Sequence, residues 1–318
     1  MMRLHRTGVI AILVVSLLLM GLLAGCGSSS TPAPTPPAEN GEQEEPVEDL
    51  SGFFEIKGSD SEVNLVQAMV EAFANVNDVA EFSVTGGGSG TGIAALINKQ
   101  TDIANSSRPM KDGEIAQARA NGVEPVPVVF SMDGLAVIVH EDNPVTELSV
   151  EQIGKIFAGE ITNWSEVGGE NKPISMYGRQ SNSGTYVFFM ERVVRGDYSQ
   201  AMQNMNGNSQ IVEGVRADTT GIGYVAIGYL QGASGISALS VAETEAGPFV
   251  TPLDTAKVKG GEYVLTRPLY QYFNGVPTGA LRQFVDFELS AEGQALVEAE
   301  GFLPVTSGFM QENNKYIK

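Results

Sequence analysis

Three short segments carry the residue types that hold a small anion. Gly58-Ser59-Asp60-Ser61, Gly86-Gly87-Gly88-Ser89-Gly90-Thr91-Gly92 and Gly178-Arg179-Gln180-Ser181-Asn182-Ser183-Gly184-Thr185 each combine glycine with hydroxyl side chains. Glycine lets a backbone approach a ligand closely, and Ser or Thr adds a hydroxyl donor. Where such a loop opens a helix, unsatisfied N–H groups and a partial positive charge reinforce it. One such loop alone reads as an ordinary helix N-cap. Three of them, one with Arg179 four residues before Ser183, favour a shared oxyanion, because the planar guanidinium fork matches phosphate bidentately. The Gly-rich loop lacks the Lys-Ser/Thr pair of a nucleotide P-loop. It fits a dinucleotide fingerprint only in part, since Ile93-Ala94-Ala95 follows at once.

The elements around these loops repeat one pattern. Phe53 to Lys57, Phe82 to Thr85 and Ile174 to Tyr177 read as short strands. Val63, Leu65, Val66, Met69, Val70 and Phe73 recur at helical spacing, Ile93 to Asn98 starts a second helix, and Tyr186 to Val194 reads as a third. Strand, loop, helix in repetition predicts an α/β layer architecture with largely parallel sheets.

The first 25 residues read as an export signal. Arg3, His5 and Arg6 precede an apolar run from Gly8 to Gly25, and Leu23-Ala24-Gly25 leads to Cys26, the only cysteine. This resembles a bacterial lipoprotein signal, in which Cys26 becomes the lipidated first residue of the mature chain. An uncleaved membrane anchor is the alternative, and either places the bulk of the protein outside the cytoplasm, at the periplasm or cell surface. Residues 26–50 form a lipidated Cys and a disordered tether, with Pro32, Pro34, Pro36, Pro37 and Pro46 among six acids and no Lys or Arg.

Composition removes several function classes. The 318 residues carry 19 Lys+Arg against 38 Asp+Glu, a net charge of −19, which opposes nucleic-acid binding. One Cys and two His leave no material for a disulfide or a metal cluster, so no metal and no cofactor are expected.

Taken in order, the three loops together with Asp102-Ile103-Ala104-Asn105-Ser106-Ser107-Arg108 resemble the phosphate-binding protein (PstS) family of the bacterial high-affinity phosphate ABC transporter. Ile156 to Trp164 and Pro268-Leu269-Tyr270 through Asn274 to Gly279 are similar to further family stretches. The resemblance runs from about Phe53 to Pro304. It implies a type II periplasmic-binding-protein fold, α/β, with two lobes and a ligand cleft between them. Crossing segments are expected at Val128 to His140 and near Tyr263 to Tyr272. Lobe 1 would be 51–135 plus 265–318, and lobe 2 136–264. Hinge closure around a ligand is a known behaviour of such proteins.

The resemblance also implies a site. Ser59, Asp60 and Ser61 match the family's opening loop, and Ser89, Gly90 and Thr91 its Gly-rich loop. Arg179, Ser183, Gly184 and Thr185 match its Arg-to-Ser-Gly-Thr loop. Longer members place an Asp where this chain has Ser107, and that Asp accepts a proton from bound phosphate. A buried carboxylate rewards phosphate over sulfate, which has no proton to donate. Asp133 and Asp60 are the two replacements available, with Asp133 ahead because no helix begins after it; their plain alternatives are a turn residue and an N-cap. Arg108 supports the site or pairs with a carboxylate. His140 is a surface residue, and Trp164 packs.

The expected function is an extracytoplasmic lipoprotein, monomeric, that captures inorganic phosphate and delivers it to permease subunits in the membrane. A receptor for sulfate or molybdate is one alternative. A phosphatase on the same scaffold is the other. With one His left in the mature chain, neither a Ser-His-Asp arrangement nor metal-assisted hydrolysis is easily built, and no enzyme activity is expected.

Overall fold

The computed structural model describes residues 50–317. The expected signal, Cys26 and nearly all of the tether lie outside the described residues. Among those described, no helix is long and apolar enough to cross a membrane.

The first lobe opens with β1 (Gly52–Gly58), α1 (Val63–Phe73), β2 (Ala80–Thr85), α2 (Ser89–Ile97), β3 (Ile103–Ser106) and α3 (Asp112–Ala120). A 16-residue strand, β4 (Pro125–His140), leads out of it. The second lobe holds β5 (Glu147–Ser149), α4 (Val150–Ala158), β6 (Ser175–Arg179), α5 (Gly184–Phe189), β7 (Gln203–Met205) and α6 (Asn208–Arg216). It continues with β8 (Gly221–Ala226), β9 (Ile236–Ala238), β10 (Ser240–Ala242) and α7 (Thr255–Lys259). The chain returns through β11 (Thr266–Asn274) and ends in α8 (Gly279–Glu288), α9 (Ala291–Ala299) and α10 (Ser307–Tyr316).

The strands form one path, β2-β1-β3-β11-β4-β8-β6-β7, with β9 added on β4 and a separate pair β10-β5. The sheet is mixed rather than largely parallel. β1 pairs in parallel with β2 and β3, and β6 with β7 and β8. β11 and β4 pair antiparallel with each other and with β3 and β8 respectively. The reason is topological: strand-loop-helix units within a lobe force parallel pairing, whereas segments that cross between lobes run opposite to each other. The apolar run interrupted by Ser131-Met132-Asp133-Gly134 is one continuous strand. Its first part pairs with β11 and its last part with β8, so a single strand serves both lobes.

Each lobe buries its own aromatic core. Phe73 packs edge-on against Phe284 and Phe82 stacks on Phe284 in the first. Phe157, Phe189 and Tyr224 pack together in the second, with Trp164 buried nearby. The Trp164 ring is buried in this core, in line with a packing role, and its indole N–H donates to the Thr220 carbonyl at 3.0 Å. The expected third helix divides: α5 ends at Phe189 and Met190–Val194 continue as a π turn.

Candidate functional site

The floor of the site is where the two crossing strands meet. Arg267 on β11 stands directly opposite Asp133 on β4. The Arg267 guanidinium donates to Asp133 Oδ2 from Nε at 3.0 Å and from Nη2 at 2.7 Å, and Asp133 Oδ1 accepts from Ile227 N at 3.2 Å. Burial pushes the Asp133 carboxyl up from its ordinary range, and the guanidinium beside it pulls in the opposite direction. Asp133 is therefore a strand residue with both oxygens occupied, and no turn residue. Arg267 reaches further, with Nη2 at 3.0 Å from Thr185 Oγ1 and 3.3 Å from Ser61 Oγ, and Nη1 at 3.4 Å from the Ser107 carbonyl. Its guanidinium lies over the Phe188 ring, 5.2 Å from the centroid.

Above this floor the loop hydroxyls converge from both lobes. Ser61 Oγ and Thr185 Oγ1 are 2.8 Å apart. Ser59 Oγ donates to Ser107 Oγ at 3.1 Å, and Ser107 Oγ lies 3.3 Å from Ser89 Oγ. Ser89 Oγ also accepts from Ser107 N at 3.1 Å. Ser183 caps α5, its hydroxyl accepting from Tyr186 N at 3.3 Å. Gly184 must be glycine here: a Cβ would collide with Ser89 Oγ and come within 2.7 Å of Ser107 Oγ. All six of these hydroxyl residues are buried.

Arg179 closes the cluster from β6 and is 2% exposed. Its backbone N–H donates to the Tyr224 hydroxyl at 3.1 Å, which fixes the loop. Nη2 pairs with Asp60 Oδ2 and donates to the Asn206 carbonyl at 3.0 Å. Nε and Nη1 are buried and have no partner. Asp60 Oδ1 accepts from Gly87 N at 2.8 Å, and the Asp60 carbonyl accepts from the Tyr229 hydroxyl at 2.7 Å. Burial pushes the Tyr229 phenol up to about 12, helped by the Asp60 charge, so it stays a donor.

Asn182 completes the contact between lobes. Its carbonyl accepts from Gly90 N at 2.9 Å, and its side-chain amide donates to Gly87 O at 2.8 Å and Thr91 Oγ1 at 3.3 Å. Thr91 Oγ1 donates to Gly87 O at 2.6 Å. Gly90 and Thr91 thus face Asn182, while Ser59, Ser61, Ser89, Ser107, Gly184 and Thr185 meet one another. Arg108 stands apart, bonded to both Glu114 oxygens at 2.7 and 2.8 Å. Burial raises the Glu114 carboxyl, but Arg108 and the Lys111 backbone outweigh it and hold it below its usual value. His140 ends β4 and is not the surface residue expected, its side chain being only 13% exposed, with Nδ1 accepting from Asp142 N at 3.1 Å.

Sequence reasoning passed over four residues of this region: Arg267, Glu62, Asn182 and Tyr229. Arg267 had a readable signal, a lone cation in an apolar crossing strand next to Pro268. Glu62 reads from sequence as an acid favoured at a helix start. In the structure it is fully buried and does not cap α1.

The arrangement gathers two guanidinium groups and six hydroxyl residues, buried and largely bonded to one another. It suits a compact anion that accepts many hydrogen bonds. Among the described residues no group of His, Cys, Asp and Glu converges as metal ligands.

Residues 32–292 match the model of a PBP superfamily domain. The chain is 31% identical over 300 residues to the phosphate-binding protein PstS of Pseudomonas aeruginosa, covering 89% of this chain and 91% of that one. It is 32% identical over 289 residues to PstS of Bacillus subtilis, covering 90% and 91%. The fold is similar to a crystal structure of a putative phosphate ABC transporter substrate-binding protein with bound phosphate from Clostridium perfringens. That match has a TM-score of 0.71 and 31% identity, over 80% of this chain and all of that one. An ABC-type phosphate transport receptor from Vibrio cholerae matches at a TM-score of 0.62 and 25% identity, over 79% of this chain and all of that one.

Proposed function

The chain belongs to the PstS family of phosphate-binding proteins within the PBP superfamily, and we propose from that membership that it is an extracytoplasmic receptor for inorganic phosphate, serving an ABC transporter. The observation that carries the reading is Arg179, buried with Nε and Nη1 unpartnered, tied through Asp60 to the loop of Ser61 and standing at the start of the loop that ends in Thr185. A buried cationic donor without an acceptor is costly, and an oxyanion supplies the acceptor. The protein's role is capture and release; its relatives are named as binding proteins and transport receptors.

Ser59, Ser61, Ser89, Ser107, Arg179, Ser183, Gly184 and Thr185 form the phosphate site in this reading. Gly90 and Thr91 act with Asn182 as the latch between lobes. Of the two aspartates, Asp60 takes the phosphate proton, because it shares Arg179 with the ligand and its side chain keeps 18% exposure, whereas Asp133 is sealed against Arg267. A carboxylate at that edge favours a protonated anion over sulfate.

Calorimetric titration of the purified protein with phosphate and with sulfate tests this. Heat with phosphate at micromolar protein and none with sulfate is the expected result; silence with phosphate overturns the reading. Asp60→Asn is expected to weaken phosphate binding about tenfold while sulfate gains. The lipid anchor is part of the same proposal: Cys26→Ser should move the protein from the membrane fraction to the soluble one.

A further inference from the structure

Glu62 is the buried acid that the phosphate reading leaves unused. It follows Ser61 directly, precedes the first turn of α1 and exposes no surface. Neither of its carboxyl oxygens accepts a hydrogen bond, while the turn in which Glu62 N donates to the Ser59 carbonyl at 3.3 Å brings the Ser59 side chain beside it. An ionised carboxylate in that setting loses its hydration and, with the Ser59 proton directed at Ser107, receives no hydrogen bond in exchange.

The groups acting on Glu62 come from its own loop and three packed elements. They are Ser59, Arg267 on β11, Asp133 on β4 and Glu288 on α8. Arg267 is committed to Asp133 through two hydrogen bonds, and Glu288 accepts from the Gln271 amide at 3.0 Å. Ser59 directs its proton at Ser107 Oγ, so it has an oxygen to accept with and no proton to give.

We infer that Glu62 is a positioning residue held as a neutral carboxylic acid, whose proton goes to Ser59 Oγ and sets the donor direction of the Ser59–Ser107–Ser89 hydroxyls. With Ser59 donating to Ser107, the Ser107 hydroxyl keeps its own proton for Ser89 or for the bound anion. Burial drives the Glu62 carboxyl well above its usual value, against the pull of Ser59 and Arg267. Ionisation would turn the Ser59 proton toward the carboxylate and place a negative charge one residue behind the anion. The ligand end of this inference rests on the phosphate reading; the neutral acid does not.

The test compares wild type, Glu62→Gln and Glu62→Leu. Glutamine keeps a donor for Ser59 and cannot ionise; leucine keeps the volume and offers no donor. Phosphate affinity at neutral pH should hold within about threefold in Glu62→Gln and fall about tenfold in Glu62→Leu. As pH rises, wild type should weaken relative to Glu62→Gln, a ratio in which phosphate's own ionisation cancels. Infrared spectra of the ligand-free protein should show a neutral-carboxyl C=O band that shrinks in Glu62→Gln. That band, together with the Gln variant, carries the test should Glu62→Leu fail to fold. An unchanged band with a flat ratio overturns the inference, as does a Gln variant as weak as the Leu variant. Wild type that shows the band but binds no phosphate contradicts the ligand reading and leaves the neutral acid established.

Discussion

Arg179 and Arg267 are 2% and 3% exposed, and each pairs with an aspartate. They differ in what remains of the guanidinium afterwards. Arg267 spends Nε and Nη2 on Asp133, and its remaining reach goes to Ser61, Thr185 and the Ser107 carbonyl. Its aspartate is completely buried and also holds Ile227 N. Arg179 uses Nη2 alone, on Asp60 and Asn206, and keeps Nε and Nη1 without partners. The first pair joins strands β4 and β11 where the lobes meet. The second joins the lobes themselves and leaves donors aimed at nothing in the protein. A filled fork organises the fold; an open one leaves buried donors unpaired, at a cost of about 1–3 kcal/mol per group that the anion relieves in the proposed phosphate site.

Stability gives the largest expected contrast. Arg267→Met leaves Asp133 buried and uncompensated, and should lower unfolding free energy by about 3–5 kcal/mol in urea titrations. Replacing both partners, Arg267→Met with Asp133→Leu, should recover most of that, since an apolar pair avoids the desolvation of two ions. If the double variant is no more stable than the single one, the pair does more than join the strands. Arg179→Met is the converse case. It should weaken phosphate binding by two orders of magnitude or more, about 3 kcal/mol for two charge-assisted hydrogen bonds, with a melting temperature near that of wild type. A large loss of stability with intact binding would reverse the two assignments.

A buried carboxyl without any arginine supplies the smallest contrast. Glu288 accepts one bond from Gln271, and burial pushes its carboxyl well above the usual value. Its native state holds a proton that the unfolded state gives up near 4.5. The stability it contributes is therefore full in acid and is lost as pH rises through the raised native value. Glu288→Gln should be close to wild type in mildly acidic urea melts and more stable than wild type in alkaline ones. A stability difference that does not change with pH would mean that Glu288 is charged in the fold.

Much of this was legible in the chain. The three strand-loop-helix units stand where their Gly and Ser/Thr residues place them, because close backbone approach is a local effect, although only α5 takes a side-chain cap. Ser59, Ser61, Ser89, Ser107 and Thr185 come together as a set. The crossing strands were readable as apolar runs, but the antiparallel centre of the sheet was not, since pairing between β4 and β11 joins residues more than a hundred positions apart. For the same reason Arg267 escaped: a cation beside Pro268 gains its meaning only from Asp133 across the ladder. Asp133 was read as a ligand carboxylate or a turn residue, and only tertiary pairing shows it fully buried against Arg267, where Asp60 keeps an exposed edge. Glu62 escaped because an acid before a helix is usually solvated, and burial is not local information.

The two guanidinium groups differ most in which of them meets the anion. A crystal structure of the protein with arsenate, located by its anomalous signal as a phosphate surrogate, decides this directly. The prediction is an anion in hydrogen-bond contact with Arg179 Nε and Nη1 and with the hydroxyls of Ser61, Ser89, Ser107 and Thr185, with the Arg267–Asp133 pair unchanged beneath it. An anion seated on Arg267 with that pair broken, or one bound away from Arg179, would contradict it.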